Sequence, residues 1–160
     1  MVLWSVMKFD ELSTQQLYDI IKLRIDVFVV EQNCPYPELD NKDTLSETYH
    51  VLGKNNDDEL VTYARLLPVG VSFKEASIGR VVTKPSARGK GLGHALIKNL
   101  LKQANHFGLN SQFVSVRKHS LKVFINSMVF KKYPRPIWKM IFCISICYLL
   151  IGKTPNKYCC

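Results

Sequence analysis

A strand that runs into a glycine-rich turn and then into a helix constrains this chain more than any other feature. Residues 76–83 are mostly apolar and predict the strand, and leucines at four-residue spacing predict a helix over 91–106. The glycines between them permit tight turns and close approach of a ligand to the main chain. Free N–H groups at a helix start attract anions, and Arg88 and Lys90 add positive charge. The segment therefore predicts a phosphate or pyrophosphate site.

The glycine spacing excludes two common phosphate-binding motifs. A dinucleotide fingerprint, G-x-G-x-x-G, needs a glycine three positions after Gly91, where the chain has His94. The P-loop pattern, G-x-x-x-x-G-K-[ST], is absent from the sequence. A strand–turn–helix whose glycines serve only tight packing is the structural alternative.

The rest of the chain up to residue 114 alternates strands and helices. Residues 1–7 predict a strand, and Ser13 with Gln16 forms a capping box that predicts a helix start. Apolar spacing continues that helix to Phe28, and prolines end it before an acidic loop. Further strands are predicted over 49–54 and 60–67, as a hairpin, and from 112 onward. This order predicts an α/β layer protein.

The net charge of +9 lies entirely in the C-terminal part of the chain. Residues 1–114 carry as many basic as acidic side chains, whereas 115–160 carry only basic ones. The hydrophobic content of 47% fits one globular domain. The first residues do not fit a secretory leader, which predicts a cytoplasmic location. The five cysteines fit no metal-ligand spacing, so no metal is predicted.

The turn resembles the acetyl-CoA signature [RQ]-x-x-G-x-[GA] of the GNAT superfamily of N-acetyltransferases, read here as Arg88-x-x-Gly91-x-Gly93. The run Phe28–Tyr36 is similar to the ElaA-like branch of that superfamily, and the resemblance covers about residues 4–113. It implies a GNAT fold, with a mixed central sheet flanked by helices, and the transfer of an acetyl group to an amine.

The resemblance also implies where acetyl-CoA, the cosubstrate, would bind. The strand before the turn would pair with the pantetheine arm, and the turn amides would hold the pyrophosphate. The residues concerned are Val81, Val82, Thr83, Arg88, Gly89, Lys90, Gly91, Leu92 and Gly93. The acceptor would be a small-molecule or peptide amine, which the sequence leaves open, and members of the superfamily are often homodimers.

Acetyl transfer requires that the amine lose a proton before it attacks the thioester. Glu31 is the first candidate base and Asp40 the second, with a solvated carboxylate or helix-end charge as the alternative role for each. N–H donors near Val82 would stabilise the oxyanion. Candidate substrate-binding residues are Phe28, Tyr63, Arg65 and Arg80. The two arginines would either orient an acidic substrate or form a structural pair with Glu31.

The family pattern stops after Phe113, and the tail that follows has the composition of an out-of-frame sequence. When the tail is read one base out of frame, the genetic code fixes the encoded residue at three dipeptides: Met128-Val129 gives Gly, Trp138-Lys139 gives Glu and Met140-Ile141 gives Asp. The spacing of these residues matches the C-terminal pattern of the family. The Asp stands where the family usually has Gly. We therefore predict a GNAT domain over 1–114, with its C-terminal strand and helix disrupted, and an aberrant tail over 115–160.

The predicted frameshift has a chemical consequence. In the family, a tyrosine in the final helix donates a proton to the departing thiolate, and Ile125 stands at the corresponding position. Impaired activity follows, with a non-catalytic acyl-CoA-binding protein as the alternative. Two other interpretations of the tail are weaker. Met140–Ile151 is shorter than the about 20 residues that span a bilayer, and its basic residues form no recognised nucleic-acid-binding motif.

Overall fold

A computed structural model of the chain describes residues 1–74, 76–106 and 113–115. Five strands form one sheet in the order β1-β2-β3-β4-β5. Their bounds are β1 Leu3–Met7, β2 Tyr49–Lys54, β3 Leu60–Leu67, β4 Ala76–Thr83 and β5 Phe113–Ser115. Strands β1 to β4 pair in antiparallel fashion, and β5 runs parallel to β4. The predicted mixed sheet is therefore confirmed, and the predicted hairpin has the observed bounds of β2 and β3.

The first helix, α1, covers Thr14–Arg24 and starts at the predicted capping box. The Gln16 N–H donates to the Ser13 hydroxyl at 3.2 Å, and the Ser13 N–H donates to the Gln16 side chain at 2.9 Å. The chain then continues as a π-helical segment, Ile25–Glu31, which the sequence pattern did not predict. This segment carries Phe28 and Glu31 from the end of α1 toward the C-terminal end of β4.

Two helices cover opposite faces of the sheet. Side chains of α1 and the π-helical segment pack with residues of β2, β3 and β4 in one cluster: Ile20, Leu23, Val27, Phe28, Leu52, Leu60, Tyr63 and Val82. The second helix, α2 (Leu92–His106), contacts β2, β3 and β4 and buries Leu96, Ile97 and Leu100. Because strand side chains alternate between faces, each helix receives its own apolar set.

Strand β4 contains a bulge at its centre. Tyr63 of β3 lies opposite Val82, whereas Arg65 lies opposite Gly79, so β4 has one residue more than β3 over this interval. Arg80, within the bulge, has a φ of +52°, in the left-handed region that side-chain-bearing residues seldom adopt. The pairing of β4 with β5 covers Ala76 to Ile78. Among the described residues, β4 beyond the bulge is therefore paired on its β3 side alone.

Several predictions fall on residues that the structure does not describe. These include a helix cap at Gly108 and, apart from Ser115, the whole aberrant tail. Within the described part of the chain, no helix has the length and apolar character that crossing a bilayer requires.

Candidate functional site

Beyond the bulge, the edge of β4 that faces away from β3 has no partner strand within residues 1–74, 76–106 and 113–115, and we call it the free edge. The Lys84 N–H donates to the Val61 carbonyl at 2.8 Å, toward β3. Because peptide groups alternate in direction along a strand, Val82 also faces β3, while Val81 and Thr83 face the opposite edge. The sequence predicted N–H donors near Val82. The geometry assigns them to its two neighbours.

The glycine-rich turn follows directly from this edge. A short 3₁₀ turn, Pro85–Ala87, leads to Gly89 and Gly91, whose φ values are +77° and +73°. Glycine adopts such angles at little cost, which explains why these two positions lack side chains. Helix α2 then begins at Leu92, and its first turn leaves main-chain N–H groups without acceptors inside the helix. The helix start and the β4 edge are thus consecutive parts of one surface.

Arg88 links this turn to the π-helical segment. Its two terminal nitrogens donate to the two carboxylate oxygens of Glu31 at 2.6 and 2.7 Å, and its Nε donates to the Thr83 carbonyl at 3.1 Å. The Arg88 side chain is 17% exposed and the Glu31 side chain is 26% exposed. A predicted base and a predicted phosphate ligand therefore form one ion pair. A guanidinium has five N–H donors, so two remain for a further anion.

A second group of charges lies beneath the acidic loop. We call it the buried ion network, and its members are Arg24, Arg65, Arg80, Glu38, Asp40 and Asp43. They come from α1, the loop, β3 and β4. Three positive and three negative side chains compensate one another, as charges removed from water must.

Two arginines of the network are almost fully buried. Arg24 donates from Nε to Glu38 at 2.5 Å and from Nη1 to Asp43 at 2.8 Å. Arg65 donates to both oxygens of Asp40 at 2.7 Å and to Asp43 at 2.8 Å. Their side chains are 1% and 2% exposed. The loop is thereby fixed to both α1 and β3.

Arg80 completes the network from the bulge in β4. Its Nε donates to the Glu38 carboxylate at 2.8 Å, and its Nη2 donates to the Glu38 carbonyl at 3.1 Å and to Asp40 at 3.3 Å. The guanidinium also lies 5.8 Å from the centre of the Tyr36 ring. The predicted pairing of Arg65 and Arg80 with Glu31 is wrong, because both contact loop carboxylates while Arg88 takes Glu31.

The network changes the acid–base chemistry of its carboxylates. Burial alone would raise the pKa of Asp40, but Arg65 and Arg80 hold that pKa well below its ordinary value. Burial opposes the shift at Asp43 too, where Arg24 and Arg65 lower the pKa. Carboxylates with such lowered pKa values are weak proton acceptors near neutral pH.

Three of the predicted substrate-binding residues are buried in this structure. Phe28 and Tyr63 belong to the α1-side core, and Arg65 lies within the network. The Tyr63 hydroxyl lies 2.8 Å from His50 Nδ1, and His50 Nε2 lies 3.0 Å from the Asp43 carbonyl. Only N–H can donate to that carbonyl, so Nε2 carries the proton and Nδ1 accepts from the tyrosine. These side chains are almost fully buried in this structure and present no surface to an acceptor.

Comparison with known proteins identifies this arrangement. A model described as the acetyltransferase (GNAT) family matches residues 16–124. The chain belongs to the GNAT acetyltransferase family. The match ends inside the predicted tail and leaves residues 125–160 outside it.

Relatives place the chain in the ElaA-like part of the GNAT family. Protein ElaA of Escherichia coli K12 is 42% identical over 106 residues, which cover 66% of this chain and 69% of that protein. The crystal structure of Escherichia coli ElaA superposes with a TM-score of 0.74 at 37% identity, over 80% of this chain and 86% of that one.

A solved acyl-CoA N-acyltransferase from Pseudomonas aeruginosa gives the same result. It superposes with a TM-score of 0.74 at 33% identity, and the match covers 80% of this chain and 87% of that chain. GNAT acetyltransferases use acetyl-CoA as acyl donor. Among the described residues, no cluster of side chains suited to a metal ion occurs.

Proposed function

We propose that this chain binds acetyl-CoA and that its fold serves N-acetyl transfer to an amine. The observation that carries the proposal is the continuity of the free β4 edge with the glycine-rich turn and the start of α2. Pantetheine is a chain of amides, which can pair with an exposed strand edge as another strand would. The pyrophosphate would then meet the helix start, whose N–H groups and dipole favour anions.

The reaction would proceed where the free edge begins, beside the bulge between Gly79 and Val82. The amine nitrogen attacks the thioester carbonyl carbon, and the carbonyl oxygen becomes an oxyanion. We assign the main-chain N–H of Val81, which faces away from β3, as the donor to that oxygen, and this hydrogen bond would stabilise the transition state. The amine nitrogen passes its proton to a base, the oxyanion re-forms the carbonyl as the C–S bond breaks, and the departing thiolate takes up a proton from solvent.

Glu31 remains our first candidate for that base, directly or through water. Asp40 ranks below it because Arg65 and Arg80 lower the pKa of the Asp40 carboxyl, which makes it a weak proton acceptor. In a chain with the family's frame restored, exchange of Glu31 for Gln should lower kcat by about 10²-fold or more. An unchanged kcat would remove Glu31 from the chemistry and leave it with its structural contact to Arg88.

The acceptor remains an amine of unassigned structure. Thiol release from acetyl-CoA, measured over a panel of small amines and peptides with free amino termini, would define its class. A cytoplasmic location and a homodimer stay predictions, and no nucleic-acid or membrane partner is proposed.

We further propose that the tail impairs turnover, because Ile125 would stand where the family has a proton-donating tyrosine. Resequencing the codons for residues 109–118 tests the origin of the tail. A single-base difference would restore the family's C-terminal sequence. An unchanged gene favours the alternative, an acyl-CoA-binding protein without catalysis.

The two functions separate in one pair of measurements on the full 160-residue chain. Acetyl-CoA binding followed by calorimetry tests the cosubstrate site, and thiol release tests catalysis. Binding without turnover supports the non-catalytic alternative, and a chain with the frame restored should then recover turnover. Failure of the 160-residue chain to bind acetyl-CoA would contradict both functions.

A further inference from the structure

Arg80 occupies a backbone conformation that its own side chain does not favour. A φ of +52° is readily adopted by glycine and, among residues with side chains, mainly by Asn and Asp. Such strained positions persist when the surrounding structure holds them, and they concentrate at functional sites. The question is therefore what holds Arg80 and what its conformation achieves.

The guanidinium of Arg80 is held by two residues of the acidic loop. Glu38 accepts two of its hydrogen bonds, through the carboxylate and the main-chain carbonyl, and Asp40 accepts a third. Those acceptors are themselves fixed, because Arg24 holds Glu38 and Arg65 holds Asp40. Arg80 is thus anchored indirectly to α1 and to β3.

The conformation of Arg80 sets the direction of the strand beyond it. The bulge inserts one residue between Gly79 and Val82, while both of these keep partners on β3. Bulges bend a strand and increase its local twist, which re-aims the groups that follow. Pairing of β4 with β5 extends to Ile78, just before the bulge. The peptide groups of Val81 and Thr83 that face away from β3 come immediately after it, and of these the Thr83 carbonyl already accepts from Arg88 Nε at 3.1 Å.

We propose that Arg80 is a positioning residue, which through Glu38 and Asp40 holds the β4 bulge in the shape that presents Val81 and Thr83 to the pantetheine arm of the acyl donor. This inference rests on the proposed function. It assigns the buried ion network a role in binding the arm, separate from the role of the glycine-rich turn in binding phosphate.

Two ligands separate these roles. Coenzyme A carries the pantetheine arm, and 3′-phospho-ADP is the same molecule without it. In the full-length chain, Arg80→Gly keeps the positive φ accessible but removes the guanidinium. We expect its Kd for coenzyme A to rise about tenfold, because one or two main-chain hydrogen bonds to the arm would be lost. Its Kd for 3′-phospho-ADP should change by less than about twofold.

Two further variants distinguish a specific effect of Arg80 on binding from a general loss of folding. Glu38→Gln keeps the side chain's shape and weakens the Arg80 contact, so it should show the same selectivity in smaller measure. Asp58→Gly is the matched control, because Asp58 also has a positive φ of +58° but lies in the exposed β2–β3 turn. It should leave both dissociation constants unchanged. Thermal unfolding of each variant, measured in parallel, identifies any that lose the fold.

The outcomes are distinct. Selective weakening of coenzyme A by Arg80→Gly and Glu38→Gln supports the inference. Equal weakening of both ligands, or no change in either, overturns it and leaves the proposed function intact. If the unmodified chain binds 3′-phospho-ADP as tightly as coenzyme A, the arm has no site on β4 and the inference fails. If it binds neither ligand, the proposed function fails as well.

Discussion

Among the described residues, the arginine–carboxylate contacts fall into two groups with different surroundings. The buried ion network places Arg24 and Arg65 almost completely out of water, whereas the Glu31–Arg88 pair keeps about a fifth of its surface exposed. Each buried arginine contacts two carboxylates, while Arg88 contacts one carboxylate and one carbonyl. One group lies under the acidic loop, and the other lies beside the glycine-rich turn.

This difference indicates different functions for the same chemistry. A buried charge that loses its partner has no water to replace it, so the network must remain intact whenever the protein is folded. A partly exposed pair is screened by water and contributes little to stability, so its members can exchange partners. The network is therefore suited to fixing geometry, and Arg88 is suited to meeting an incoming phosphate.

The largest expected effect comes from breaking the network at its centre. Arg24→Met should lower the free energy of unfolding by about 3–5 kcal/mol, because Glu38 and Asp43 would each lose a buried partner and only Arg65 and Arg80 would remain to compensate three carboxylates. The matched change Arg88→Met should cost less than about 1 kcal/mol. Urea denaturation followed by circular dichroism measures both. Equal costs for the two variants would show that burial does not distinguish the groups.

Acidification should lower the free energy of unfolding in two stages. Burial, with Arg24 and Arg65 nearby, lowers the pKa of His50, so the unfolded state takes up a proton more readily than the folded state. Stability from His50 is complete above its unfolded pKa of about 6.5 and declines as the pH falls below it. Asp40 and Asp43 have lowered pKa values, so their contribution is present above about pH 4 and is lost below it.

Urea midpoints recorded between pH 3 and pH 8 test both stages. His50→Gln should remove the decline below about pH 6.5 and keep the steeper one below about pH 4. Glu31→Gln, in the exposed pair, is the control and should preserve both stages. A flat profile between pH 5 and pH 7 for the unmodified chain would contradict the role of His50.

The smallest effect concerns the backbone of the turn. Gly91→Ala and Gly70→Ala introduce a methyl group at φ values of +73° and +82°, and at neither position would that methyl meet a described atom within 4 Å. Each should therefore cost about 1 kcal/mol of stability through backbone strain alone. Only Gly91→Ala should also weaken 3′-phospho-ADP binding. Loss of binding in the Gly70 variant would show a general effect rather than a turn-specific one.

Local signals in the sequence predicted local structure well. The capping box at Ser13, the hairpin over β2 and β3, and the turn before α2 all depend on residues close together in the chain. The mixed sheet was expected from the family resemblance and not from the pattern of residues alone. Roles for the site residues were harder to predict, because burial and ion pairing arise from the tertiary fold.

The pairings of the charged residues illustrate that limit. Glu31 and Arg88 were both predicted as site residues with separate roles, yet they contact each other across 57 positions of sequence. Arg24 and Asp43 were not among the predicted site residues, although they join α1 to the loop. The left-handed conformation of Arg80 carries no sequence signal, since neither Gly nor Asn occupies that position.

The π-helical segment shows how the site depends on the course of the main chain. π-helical turns, whose hydrogen bonds run from i to i+5, are frequent at functional sites. If Ile25–Glu31 were wound as an α-helix instead, at about 100° per residue, Glu31 would lie on a different side of the helix axis. Arg88 would then lose its carboxylate, although both amino acids would still be encoded. For this segment, the winding of the backbone determines the site as much as the identity of its residues.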